Sequence, residues 1–210
     1  MRSSLWRSCA ERFLKPQLGD DWRTSKTLLY HQPNDWFICA LWPRQPKTAT
    51  WFQVVRLVQF LPIPASKPGG IDSMPLSHRG DYPTAPTTIS EAGPVMERVL
   101  ADIRDEALPH FRKRGNVSGY FDIVEPRSRR APDNMYRQEE LLYLTLLQGD
   151  LQKAQRIESY ASVRAREIGE PFAIEIAERI DHVMGLTRIG LPDALDQLRT
   201  QASETLAAIT

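Results

Sequence analysis

The chain reads as an α+β protein: an N-terminal helix and an antiparallel meander of three strands or more, then a C-terminal layer of four to five helices. Three observations predict this. Residues 36–64 hold three of the five tryptophans and alternate in strand period on either side of a Pro/Lys/Thr turn at 43–50. From Val95 onward the apolar residues recur every three or four positions, the helical period. Between them, 62–94 carries seven prolines, the pair Gly69-Gly70 and few large apolar residues, so no regular element is expected there. The expected organisation is therefore 1–64 as helix plus sheet, 65–94 as a Pro-rich loop or linker, and 95–210 as a helical part packed on the sheet as one body.

Each element has its own warrant. Ser3 and Ser4 can cap a helix running to about Leu14, and Pro16 is expected to end it. Residues 22–30 read as one strand and 31–34 as a turn. In 36–42, Trp36, Ile38, Ala40 and Trp42 fall on one face and Phe37, Cys39 and Leu41 on the other. Residues 51–61 alternate in the same way. Short connections favour antiparallel pairing, and two apolar faces call for a covering layer. Val95, Val99, Ile103 and Ala107 make a helical stripe that Pro109 is expected to break. Residues 117–124 fit a short helix or a strand, and 127–133 a polar loop. Residues 136–148 are apolar almost all round, as in a buried central helix. Gly149-Asp150 ends that helix and caps the next, and Pro171 and Pro192 stand at helix starts.

Composition narrows the function classes. The chain has 210 residues, 41% hydrophobic and 25% charged, which is ordinary for a globular protein. A net charge of +1 argues against a globally basic nucleic-acid binder. The charge is unevenly spread: 1–61 carries nine Lys/Arg against four Asp/Glu, and 135–210 carries eight against twelve. Two cysteines, Cys9 and Cys39, are too few for a disulfide scaffold, which points to a reducing cytoplasm. No apolar run of membrane-spanning length occurs, and Met1–Arg12 lacks a secretory apolar segment.

No motif assigns a reaction. A Gly-rich phosphate loop, a nucleophile elbow, His-Glu-x-x-His and Cys-x-x-Cys are all missing from the sequence, so no catalytic, cofactor-binding or metal-ligating residues are expected. The four histidines lie far apart, and the Arg-Gly-Asp at 79–81 reads as chance composition in a loop. The basic clusters at 112–114 and 127–130 read as a solvated helix end and a solvated loop. Residues 143–161 resemble a single tetratricopeptide hairpin, but no repeat at fixed period follows.

The pieces Phe13–Pro16, Trp36–Trp42, Trp51–Pro62 and Ala107–Phe111 resemble an uncharacterised bacterial family, domain of unknown function 4304. The resemblance covers roughly residues 5–150 in scattered pieces and is poorest at 62–94. Some members of that family occur among immunity proteins encoded beside secreted toxins, and it supplies no catalytic residues. It implies a binding protein.

Two expectations follow. The first is a non-enzymatic intracellular interaction protein, of the kind that neutralises a basic toxin domain by binding it. Its acidic surface would comprise Glu139, Glu140, Glu167, Glu170, Glu175 and Glu178, since opposite charge steers encounter. The alternative is an enzyme or small-ligand binder with a site under the 62–94 loop, recruiting His78, Asp81, Tyr82 and Trp51.

Overall fold

The computed structural model describes residues 3–76 and 82–210, the side chains of Pro33 and Asn34 excepted. Two compact units divide it. One runs to Gln59 and takes in Lys67–Gly115 and Ile209–Thr210; the other is Phe60–Ser66 with Asn116–Ala208. These boundaries differ from the expected ones at 64 and 94, because the helices of 89–114 belong with the sheet.

Among the described residues the sheet has five strands, in the order β1-β2-β3-β4-β5. These are β1 (Trp22–Ser25), β2 (Leu28–Asn34), β3 (Phe37–Arg44), β4 (Gln53–Phe60) and β5 (Asp72–Pro75). The single strand expected at 22–30 is instead a hairpin, with Ser25 opposite Leu28. A two-residue turn needs a left-handed residue, and Lys26 supplies it at φ +44°. The turn expected at 31–34 is consequently strand, and Asn34 sits opposite Phe37. The loop expected at 65–94 is corrected in the same way. Asp72–Pro75 adds an edge strand along β4, with Val58 opposite Asp72 and Val55 opposite Pro75. Pro75 lies at the strand end, where a missing N–H is tolerated. Tyr82 then makes a two-way backbone bridge to Phe52, at 2.9 and 3.1 Å.

Both faces of the central strands are covered: Phe37, Ile38, Ala40 and Leu41 are all buried, as are Val54, Val55, Leu57 and Val58. The helices of this unit are α1 (Ser3–Cys9), α2 (Lys15–Leu18), α3 (Ile89–Asp102) and α4 (Leu108–Arg114). Neither Pro16 nor Pro109 breaks its helix. A π-helical turn, Ala10–Leu14 in one case and Ile103–Ala107 in the other, precedes each proline by two residues. Each proline then occupies the first turn of the following segment, where its missing N–H leaves no gap. Tyr82 to Asp102 (2.6 Å) and His110 to Asp72 (2.7 Å) tie the helices to the sheet region.

The second unit contains α5 (Val117–Arg130), α6 (Met135–Leu147), α7 (Leu151–Ile168), α8 (Pro171–Thr187) and most of α9 (Leu191–Ile209). Residues 127–130, expected as loop, are the last turn of α5, where three arginines complement the helix dipole. Asn116, Asn134 and Asp150 cap α5, α6 and α7 through their side-chain oxygens. Residues Gln138 to Leu146 of α6 are buried without interruption; the nearly all-apolar run from Leu141 requires this of its own part, whereas Gln138, Glu139 and Glu140 are buried against their polar character. Among the described residues, no helix is long and apolar enough to cross a membrane.

Candidate functional site

The six glutamates proposed from sequence divide into two kinds. Glu139 and Glu140 lie in the second turn of α6 and are buried, at 0% and 8% exposure. They drop out of the acidic surface, because a carboxyl with no solvent access cannot meet a partner. Glu167, Glu170, Glu175 and Glu178 are exposed.

Glu139 is satisfied from inside the unit. Arg179 of α8 donates from Nε at 2.7 Å and from Nη2 at 2.9 Å, one bond to each carboxylate oxygen. Tyr143 donates its hydroxyl to Glu139 at 3.1 Å from one helical turn away. Such a fork-to-fork pair offsets the cost of desolvating both charges. The hydrogen bond from Arg179 to Glu139 holds the guanidinium's pKa above its ordinary range. Burial, with Glu139 beside it, pushes the Tyr143 phenol up. Glu140 accepts from the buried Tyr120 hydroxyl at 2.9 Å. Burial dominates there and raises the Glu140 carboxyl to about 7, although the Tyr120 hydrogen bond pulls the other way.

The outward side of Arg179 opens on a groove. It is about 450 Å³ and is lined by Glu175, Glu178, Arg179 and His182 of α8 with Gln197 and Gln201 of α9. Helical spacing places Phe172, Glu175, Arg179 and His182 along one stripe of α8. At the head of that stripe, Phe172 stacks on Tyr136 of α6, with centroids 6.0 Å apart and ring planes 6° from parallel. Both rings are exposed, at 42% and 54%. Glu167, by contrast, is engaged with Arg164, which also reaches Asp133.

Of the alternative site, Tyr82 and Trp51 lie within the described residues. His78 and Asp81 lie outside the described residues. Tyr82 is buried at 3% exposure, stacks on Phe52 at 4.9 Å, and gives its hydroxyl to Asp102. Its ring and hydroxyl act as a structural clasp. Trp51 is half-buried. Among the described residues no group of three or more His, Cys, Asp or Glu side chains is placed to hold a metal ion.

Sequence reasoning missed the tie between Glu139 and Arg179. The residues are forty apart, and only the packing of α6 beside α8 joins them. The one legible hint was a glutamate pair directly before the apolar run that starts at Leu141, since a buried charge demands a partner. Comparison with protein-family models, with curated proteins and with solved structures finds no match.

Proposed function

We propose that this is a cytoplasmic binding protein whose helical unit takes a basic segment of another protein along the α8/α9 groove. The observation that carries the reading is the use of Arg179. Its guanidinium is committed inward to Glu139, so the charge the groove offers is that of Glu175 and Glu178. The stacked Tyr136 and Phe172 supply an apolar anchor one helical turn from Glu175. Exposed aromatics beside a charged groove are the composition of an interface centre. A basic toxin domain neutralised by an immunity protein is the partner this reading favours, in line with the resemblance drawn from sequence.

The test is capture from the native host with the wild-type chain and with a Glu175→Lys/Glu178→Lys variant as bait. A basic protein retained at low salt by the wild type, released as salt rises, and lost with the variant supports the reading. Identical retention by both baits sinks the groove assignment.

A further inference from the structure

We propose that the α8/α9 groove selects arginine over lysine: one arginine side chain of the bound segment lies between the two helices, its guanidinium bridging carboxylates on one wall and carboxamides on the other. This inference rests on the reading of the groove as the seat of a basic segment, and it names the side chain the groove takes.

The two walls differ in chemistry. From α8 come Glu175 and Glu178, three residues and so about one turn apart on one side of the helix. From α9 come Gln197 and Gln201, four residues apart and again one turn from each other. Both glutamates are exposed and both glutamines half-buried. The carboxylates supply charge, and the carboxamides supply neutral acceptors across from them. Arg179 does not cancel that charge, because its guanidinium forks onto Glu139 at 2.7 and 2.9 Å. Glu175 acts on Arg179 too, more weakly than Glu139 does.

Gln201 is oriented by the buried network behind it. Tyr143 gives its hydroxyl proton to Glu139 at 3.1 Å. The phenol oxygen then accepts a hydrogen bond from the Gln201 side chain, and the only donor a glutamine side chain owns is its NH₂ group. The carbonyl oxygen of the same amide is therefore the atom turned away from Tyr143. That oxygen is buried and receives no hydrogen bond among the described residues. An unmet buried acceptor is costly, and a donor arriving from the groove removes the cost.

Arginine and lysine meet this arrangement unequally. An ammonium is a compact point charge, satisfied by one carboxylate and water. A guanidinium is planar and aims five N–H groups in fixed directions, so one edge can fork onto a carboxylate while another reaches a carboxamide oxygen. Arg179 already shows the fork against Glu139. Of the two cations, arginine alone uses both walls.

The probes are two acetylated, amidated pentapeptides of equal charge: lysine, alanine, X, alanine, lysine, with X either arginine or lysine. Each is titrated at low salt into the full-length ¹⁵N-labelled chain, and the side-chain NH₂ signals of Gln197 and Gln201 are followed. The arginine peptide is expected to saturate these signals with a Kd at least about fivefold lower than the lysine peptide, the scale of one neutral hydrogen bond. Gln201→Leu removes the acceptor and should bring the two peptides within about twofold of each other, chiefly by weakening the arginine peptide. Gln197→Leu, which leaves the Tyr143 network in place, should narrow the ratio in the same direction. Each variant is followed through the remaining glutamine. If neither peptide saturates a groove signal, the reading of the groove falls and this inference falls with it. If both saturate with a ratio below about fivefold, the groove reading stands and the preference for arginine is overturned. A preference that survives undiminished in both variants overturns it as well, since the carboxamides would then not be its source.

Discussion

Deleting the arginine of the Glu139–Arg179 pair is the sharpest probe of how the helical unit is held together. Arg179→Met keeps the apolar stem and removes the guanidinium fork. Glu139, with no exposed surface, would retain only the Tyr143 hydroxyl at 3.1 Å. Stranding a buried charge costs about 3–5 kcal/mol. The Arg179 side chain is 29% exposed, so water entering where it stood would screen the orphaned carboxylate and favour the lower end, about 3 kcal/mol. Adding Glu139→Gln removes the second charge while keeping an acceptor for Tyr143, and should restore most of the loss. Urea unfolding followed by helical circular dichroism reads both variants, and the double-mutant cycle should return a coupling of about 2 kcal/mol. Acidification supplies an independent check. A lone buried carboxyl escapes its penalty by taking a proton, so the deficit of Arg179→Met should shrink as pH falls. A single-variant loss below about 1 kcal/mol, or a double variant costing the sum of the singles, would refute the reasoning.

Three further outcomes are expected. The folded pKa of Glu140, about 7, lies above its ordinary value of 4.5. Its contribution is therefore fully present below about pH 4.5 and is lost as pH rises towards 7, with a slope of up to about 1.4 kcal/mol per pH unit. Glu140→Gln should flatten this slope in unfolding free energies measured across that window. Gly115→Ala should cost about 1–3 kcal/mol, because the new methyl meets the Phe111 carbonyl oxygen and Cys39 Sγ at 2.8 Å each; a Cys39→Ala background should relieve only the sulfur half of the clash. Tyr82→Phe should cost about 1–3 kcal/mol by stripping Asp102 of its 2.6 Å donor. An unchanged urea midpoint in that variant would return Tyr82 to the roster of ligand-binding candidates.

The strands at 37–44 and 53–60 and the helices after 135 were legible from sequence because their apolar periods are long and uninterrupted. The hairpin at Lys26 was not, since the turn carries neither glycine nor asparagine and only its φ of +44° reveals it. Proline misled twice, at Pro16 and Pro109, because a π-helical turn upstream re-phases the helix and admits it. The short strand at 72–75 escaped notice because an edge strand of four residues draws its stability from the neighbour it pairs with. At the candidate site, charge alone grouped the six glutamates, and it could not separate the exposed Glu175 and Glu178 from the buried Glu139 and Glu140.

By itself, then, the sequence determined the α+β class, the meander, the central buried helix and the acidic character of the C-terminal helices. These are local or periodic properties, carried by residues a few positions apart. The three-dimensional arrangement alone decided that Arg179 turns inward, that Tyr82 is a clasp, and that Trp22, His31, Cys39 and Phe111 surround one cavity. Each of those depends on side chains tens of residues apart meeting across packed elements, and no local pattern encodes which of the many possible meetings the fold will choose.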